Sequence, residues 1–451
     1  MEIYLLTPPK GTPSIELLKR TKGMSLTEKT RQELTAVLVG KRRSLWSKFL
    51  FAGPAIIASI AYVDPGNYAT NIQAGAGYGY KLLWVVLLAN LIAMLFQGLS
   101  ARLGIVTGKN LAELCRITFP FHIVIFMWFA SELAAMATDL AEFLGGAIGI
   151  SLLLNIPILQ AMAMVGIITY LILTFDRFGF RPTELIIAFM VIIITLCFLT
   201  ELLIVPVSWK SVFDNVFIPT VPDLDALTIV VGIIGATIMP HAIYLHSDLS
   251  IDRAIVRNED HRKRLLKFTN IEVVLALGVA GFVNIAMVIL AAGAFHSDFS
   301  YVADIESAYH LLTPLLGGAA AAVFLSSLIT SGVSSSVVGT MAGQMIMQGF
   351  LEYKIPIWIR RLVTMIPAFV IVVFGVNATQ ALVLSQVVLS ITLPVPMIAL
   401  IFFVTRKSIM NNYAITPFVG IWAILGTGIV LGLNFVLLAD VFGVPVPLYF
   451  V

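Results

Sequence analysis

Apolar residues run through this chain in stretches of about 20, the length that carries a helix across a hydrocarbon core, with polar residues gathered between them. Such stretches lie near residues 48–76, 81–105, 121–150, 157–175 and 183–206, and again near 227–249, 269–295, 316–349, 357–376, 379–404 and 414–438. The pattern predicts eleven membrane-spanning helices. Two of them are interrupted: Asp64-Pro65-Gly66-Asn67 falls within the first and Met239-Pro240-His241 within the sixth. Phe49 to Tyr62 fills only half a bilayer and Tyr68 to Tyr80 completes the crossing, which puts the first interruption near the midplane. A proline there breaks the backbone hydrogen-bond ladder and leaves polar groups that lipid cannot satisfy. The break persists only where it lines a protected, polar cavity. Pro65 and Pro240 stand 175 residues apart, at comparable places in two halves of the chain, which is the sequence pointer to a transporter built from inverted repeats.

Composition and charge sharpen this picture. Hydrophobic residues make up 59% of the chain and charged residues 12%, against about 25% charged in soluble domains, so a water-soluble fold is excluded. With the N-terminus in the cytoplasm, 26 of the 28 Lys and Arg residues fall on the cytoplasmic side, leaving only Lys81 and Lys210 outside. The positive-inside rule therefore supports both the count of eleven and an external C-terminus. The expected organisation is a cytoplasmic tail over 1–47 and a first five-helix repeat over 48–206. An external connecting loop over 207–226 leads to a second, inverted repeat over 227–404, and 405–451 holds the eleventh helix and the external C-terminus. The tail lacks a signal-peptide h-region. Residues 297–315 form another external segment, long enough for a short interfacial helix. Cys115 and Cys197 have no metal-ligand spacing and give no disulfide framework.

The interruptions carry the chemistry. In a soluble protein Asp-Pro-Gly-Asn is an ordinary turn, but an aspartate at the midplane costs roughly 2.5–3.5 kcal/mol and marks a functional site. Asp64 is accordingly a ligand or a proton carrier. Met239 is one of 16 methionines, and a membrane methionine is usually packing filler. Its place directly before Pro240 matters, because that proline frees carbonyls one turn back, near Ala236, and freed carbonyls are cation ligands. Carboxylate, amide, carbonyl and thioether together make a mixed hard and soft site that favours first-row transition ions over Mg²⁺ or Ca²⁺.

His241 and His246 raise the rival reading of an intramembrane metalloenzyme. Zinc proteases place two histidines four residues apart with a glutamate between them. Here the step is five, about 140° around a helix, with no glutamate, so the reading is an enzyme only at second remove. His241 suits proton transfer, since histidine titrates near neutral pH, while His246 reads as a satisfied histidine near the cytoplasmic end of its helix. In the third span Glu132, Asp139 and Glu142 follow at steps of seven and three, on one stripe within about 80° of arc. They serve either as a proton relay or as structural partners of Arg360 and Arg361 in the ninth span. Gln386 in the tenth span is either interhelical glue or a further metal ligand; Asn284 and Thr237 share that ambiguity, tilted towards structure. The Ser-, Gly- and Ala-rich run from Ser326 to Gly349 reads as close helix packing.

Asp64-Pro65-Gly66-Asn67 together with the run from Met239 to Ser247 (Met-Pro-His-Ala-Ile-Tyr-Leu-His-Ser) closely resembles the Nramp family of the MntH type, proton-coupled importers of manganese and iron. The resemblance extends through the run from Ala137 to Phe143 and through Ser385-Gln386-Val387. It implies an all-α polytopic membrane protein of eleven helices, a LeuT-like 5+5 inverted repeat with helices 1 and 6 discontinuous. Carried onto this sequence, the metal ligands are the Asp64 carboxylate, the Asn67 amide, the Met239 sulfur and the Ala61 and Ala236 carbonyls, with Gln386 joining when the site is occluded. His241, Glu132, Asp139, Glu142, Arg360 and Arg361 serve proton movement. Many members carry Asn where this chain has Ala242, a change expected to alter packing. Met239, which magnesium-selective relatives replace, favours Mn²⁺ or Fe²⁺. The expectation is a secondary active transporter in the cell membrane, importing Mn²⁺, with Fe²⁺, Co²⁺ and Cd²⁺ as further cargo, by alternating access coupled to H⁺. It has no prosthetic group and no nucleic-acid partner, works as a monomer and is not an enzyme. The alternatives are an amino-acid or other cation symporter on the same fold, a metal sensor, or the intramembrane enzyme.

Overall fold

The computed structural model describes residues 26–38, 53–174, 180–251, 253–254, 258–296, 304–353, 355–442 and 444, all helices and their connections. In chain order the helices are α1 (Leu26–Leu38), α2 (Pro54–Ala61), α3 (Pro65–Tyr78), α4 (Leu83–Thr107), α5 (Leu111–Thr118), α6 (Phe121–Leu154) and α7 (Ile158–Leu173). Then follow α8 (Phe180–Ile204), α9 (Trp209–Val216), α10 (Leu224–Thr237), α11 (Pro240–Leu249), α12 (Glu259–Phe295) and α13 (Ile305–Leu316). The last are α14 (Gly318–Leu351), α15 (Ile357–Val373), α16 (Ala378–Thr392), α17 (Pro394–Val404), α18 (Lys407–Met410) and α19 (Pro417–Val441). Each expected span corresponds to one helix or to a broken pair, and eight of these, among the described residues, are long and apolar enough to cross a membrane by themselves.

The first span is the pair α2 and α3, and the sixth is the pair α10 and α11. Each second half-helix opens on its proline, a position where the absent N–H costs nothing because it lacks an intrahelical acceptor anyway. The Asp64 carboxylate caps α3 by accepting from the Asn67 backbone N–H at 2.9 Å.

Several boundaries differ from the sequence reading. The tenth span is not straight: α16 ends at Thr392 and α17 starts at Pro394, because a proline inside a helix removes one hydrogen bond and crowds the preceding turn. The seventh span begins ten residues early, at Glu259, where Asn258 accepts from the His261 N–H at 2.9 Å and Glu259 and Asp260 fill the first turn. Capping starts that helix in the aqueous phase, before its apolar stretch. The tail includes the helix α1, and the rest of 1–47, like residues 48–52 of the first span, lies outside the described residues. The connecting loop includes α9, and the external segment includes α13 behind an Asp304 cap, with 297–303 outside the described residues. Of the C-terminal segment, 445–451 also lie outside them.

The broken helices form the centre of the bundle. In the sixth span 89% of the most apolar window is buried, against 22% for the fifth and 33% for the eleventh, whose Leu203, Phe189, Phe418 and Phe435 point outward as a lipid-facing surface. Around this centre, α14 crosses α6 at backbone contact: a β-carbon on Gly332 would stand 2.6 Å from the Gly146 Cα. The small-residue run read as a packing face is one, since close approach in lipid relies on dispersion between bare backbones. Replacing Gly332 by Leu is expected to destabilise the bundle by about 1–3 kcal/mol through overpacking. Thermal unfolding in detergent reads this as a lowered midpoint; an unchanged midpoint would show that the two helices do not meet there.

Candidate functional site

Where do the carbonyls go that the prolines leave without donors? Pro65 and Pro240 stand four residues after Ala61 and Ala236, the position whose N–H would close the α-helical bond. Within the first break, the Tyr62 carbonyl accepts from Asn284 Nδ2 at 2.7 Å and the Val63 carbonyl from the Ser331 hydroxyl at 2.5 Å. Asn284 is itself held by Asn71, whose Nδ2 donates to its Oδ1 at 3.1 Å. The structure thus gives Asn284 the structural role towards which its sequence reading tilted.

The two breaks face each other. Asn67 Nδ2 donates to Asp64 Oδ1 at 2.7 Å and to the Ala236 carbonyl at 3.0 Å, while the Thr237 hydroxyl donates to Asn67 Oδ1 at 3.3 Å. One amide nitrogen therefore bridges an anionic oxygen of the first broken helix and a freed carbonyl of the sixth. Its two hydrogens occupy a position between two oxygens, where a cation would attract both. Asp64 Oδ2 and Gln386 Oε1 are buried and have no partner among the described residues. Both side chains crowd Gly66: a β-carbon there would lie 2.9 Å from Asp64 Oδ2 and 2.0 Å from Gln386 Nε2. Only glycine lets α16 come this close. Met239 is fully buried as the residue before α11. The structure brings Asp64, Asn67, Ala236 and Gln386 together by direct geometry, with Ala61 and Met239 at the ends of the same two breaks.

Two helix ends add to the electrostatics. The N-terminus of α3, capped by Asp64, turns backbone N–H groups towards the carboxylate, and the C-termini of α2 and α10 turn carbonyls towards the same region. The site thus holds donors for its own anion and acceptors for a cation.

Beside it, α6 carries the stripe of carboxylates. Glu132 receives two hydrogen bonds from Arg360, at 3.2 and 2.8 Å. Arg361 makes no such pair: it donates to the Ser336 carbonyl and hydroxyl and to Thr340, and its guanidinium lies 4.8 Å from the Phe143 ring centre. Of the pairing expected for these two arginines, only the Arg360 half is made. Asp139 Oδ1 and both oxygens of Glu142 are buried without a partner among the described residues, and Glu142 feels the charges of Asp139, Asp64 and Arg361. His241 links this stripe to the break, its Nδ1 lying 3.1 Å from the Thr138 hydroxyl. That hydroxyl also lies 3.0 Å from the Ala134 carbonyl, and His241 Nε2 is buried without a partner among the described residues. His246 is different: it meets Gln97 Oε1 at 2.8 Å, and Gln97 Nε2 donates to the Tyr62 hydroxyl at 2.5 Å. The two histidines face different helices and do not converge.

Sequence reasoning passed over two carboxylates. Glu201 on α8 is buried with both oxygens unpartnered among the described residues, and its charge is felt by Tyr68, the residue after Asn67. A glutamate within an apolar span was a legible signal. Glu272 on α12 accepts from the backbone N–H groups of Gly53 and Ala55, at 2.7 and 3.1 Å, and pairs with Arg253. It pins the start of α2, a role that sequence spacing does not reveal. At the opposite end of the broken span, the Tyr78 hydroxyl donates to Asp223 at 2.8 Å and His296 Nδ1 meets the Ala76 carbonyl at 2.9 Å. With both ends held and Asp64, Asn67 and Met239 fully buried, the site is closed on both sides.

Comparison with known proteins agrees with this architecture. The family model described as "Natural resistance-associated macrophage protein-like" (Nramp) matches residues 55–440. A divalent metal cation transporter MntH of Acidiphilium cryptum is 60% identical over 424 residues, covering 94% of this chain and 98% of that protein. The corresponding protein of Granulibacter bethesdensis is 58% identical over 429 residues, covering 94% and 96%. Among solved structures, the manganese transporter of Eremococcus coleocola superposes with a TM-score of 0.80 at 31% identity, over 90% of each chain. A nucleobase-cation-symport-1 family transporter in a closed conformation, at 11% identity and a TM-score of 0.59, shares the fold. Family model, relatives and solved structures converge, and the chain belongs to the Nramp family.

Proposed function

We propose that this protein is a secondary transporter that carries divalent transition-metal ions, Mn²⁺ foremost and Fe²⁺, Co²⁺ and Cd²⁺ beside it, into the cell together with protons. The observation that carries this reading is the Asn67 amide bridging Asp64 and the Ala236 carbonyl. Oxygen donors from two broken helices already converge on one electropositive group in a buried site. An entering dication displaces those hydrogens, and the amide turns to offer its oxygen in their place. The ligand set then comprises the Asp64 carboxylate, the Asn67 amide oxygen, the Ala61 and Ala236 carbonyls and the Met239 sulfur, with the unpartnered Gln386 Oε1 as the sixth donor. Oxygen alone would suit Mg²⁺ or Ca²⁺; the thioether tilts the site towards softer ions.

One carboxylate leaves a dication only half neutralised, so a bound metal repels any proton held nearby. His241 Nε2 and the unpartnered oxygens of Glu142 and Asp139 offer places for such a proton, and the α6 stripe leads from them to Glu132 and Arg360. Release of the metal inward requires α2 to leave its Glu272 and Arg253 anchor. Opening outward requires α3 to leave Asp223 and His296. Movement of these half-helices against the rest alternates access.

The distribution of Lys and Arg supports a cytoplasmic N-terminus and an external C-terminus. We read residues 48–206 and 227–404 as the two inverted repeats, joined by the 207–226 loop, with the eleventh helix outside them. The donors all come from one chain, which suits a monomer.

Asp64→Ala is expected to abolish Mn²⁺ uptake into proteoliposomes; uptake at the parent rate would overturn the ligand assignment. Met239→Ala is expected to keep Mn²⁺ transport while Ca²⁺ and Mg²⁺ become effective competitors, and equal competition by Ca²⁺ in the parent protein would refute the role of sulfur. Glu142→Gln is expected to retain Mn²⁺ uptake but lose the accompanying acidification of the vesicle lumen, measured with a trapped pH dye. Unchanged acidification would remove Glu142 from the proton route.

A further inference from the structure

Away from the metal site, α4, α12 and the 3₁₀ turn Asn411–Tyr413 enclose a groove of about 690 Å³ on the side that bears the basic loops. Three cations line it: Arg102 from α4, and Lys263 and Lys267 from α12. No ion pair or hydrogen bond involves these three side chains among the described residues, although Arg102 is half-buried. No acidic side chain lines the groove. Two carboxylates, Glu259 and Asp260, stand in the first turn of α12 outside that lining, and Glu259 already accepts from the Tyr413 hydroxyl and from Arg262.

The groove changes character along its length. Lys263, Lys267, Ile271 and Val274 follow at steps of four, four and three, so they share one stripe of α12. The stripe starts on two ammonium groups and continues on Ile271, Val274 and Leu275, which are 47%, 55% and 66% exposed. Those apolar residues begin where the seventh span enters hydrocarbon, and the lysines stand one to two turns before it. A guanidinium left half-buried without a counter-charge is costly, and here an anion would find it flanked by two more cations at membrane-surface depth.

We propose that this groove binds an anionic phospholipid of the inner leaflet, with its phosphodiester headgroup between Arg102, Lys263 and Lys267 and an acyl chain along Ile271, Val274 and Leu275. Charge complementarity selects the headgroup, and the continuous apolar stripe selects a lipid rather than a free phosphate. A soluble acidic peptide would leave the apolar half of the groove against hydrocarbon.

The test is native mass spectrometry of the full-length protein in detergent, titrated with phosphatidylglycerol or with phosphatidylcholine of the same chains. Phosphatidylglycerol is expected to bind about tenfold or more tighter than phosphatidylcholine, and the triple variant Arg102→Gln, Lys263→Gln, Lys267→Gln is expected to lose that preference. Ala414→Trp, which fills the groove and keeps every charge, is expected to weaken phosphatidylglycerol binding as well. Excess inorganic phosphate is expected to leave the bound lipid in place. Equal affinity of the parent for the two lipids, an unchanged preference in the triple variant, undiminished phosphatidylglycerol binding by Ala414→Trp, or displacement by inorganic phosphate would overturn the proposal. None of these readouts involves metal transport, so the lipid site and the transport reading stand or fall separately.

Discussion

A backbone carbonyl removed from water must find a donor, and in hydrocarbon nothing but the protein itself can supply one. Pro65 and Pro240 make that demand acute at mid-membrane, since neither can return an N–H to the turn before it. The bundle answers with side chains from distant helices: Asn284 on the Tyr62 carbonyl, Ser331 on the Val63 carbonyl, Asn67 on the Ala236 carbonyl. The last of these answers is the functional one. A structural donor that two oxygens share is also a donor that a cation can replace, and the proposed metal site rests on that exchange.

The same region must tolerate a charge in both conditions. With no metal, the Asp64 carboxylate is held by the N–H groups at the start of α3 and by the Asn67 amide, a charge-assisted arrangement stronger than neutral hydrogen bonds. In the proposed metal-bound state, the carbonyl ends of α2 and α10 would face the opposite charge. Helix ends of both signs converge here because both spans are broken at the same depth. An unbroken helix would present neither end.

The half-helices are short, and α2 and α3 are tied down at their outer ends rather than by their own length. Helices of eight to fourteen residues are marginal alone, so tertiary anchors decide their position: Glu272 and Arg253 for α2, Asp223 and His296 for α3. These ties are few, polar and near the membrane surfaces, where water can take over when they part. The scaffold around them is of another kind, with α14 and α6 in backbone contact at Gly332 and Gly146. That interface has no alternative partner in lipid. The contrast between exchangeable polar ties and fixed close packing is what the proposed alternation of access relies on.

By itself the sequence determined the solvent, the span count, the two breaks and Asp64 as the charge at the first of them. These follow from local facts: apolar length, a missing N–H, a carboxylate too deep for water. Glu201 was equally legible as a carboxylate within an apolar span. Only the tertiary structure decided which donors answer the freed carbonyls, across 222 and 268 residues of chain, and that Arg360 rather than Arg361 pairs with Glu132 across 228. It also decided the kink at Pro394 and the pinning of α2 by Glu272. The physical reason is that a hydrogen-bond debt is written into one residue and its neighbours, whereas the group that satisfies it is chosen by three-dimensional packing among many helices carrying the same polar side chains.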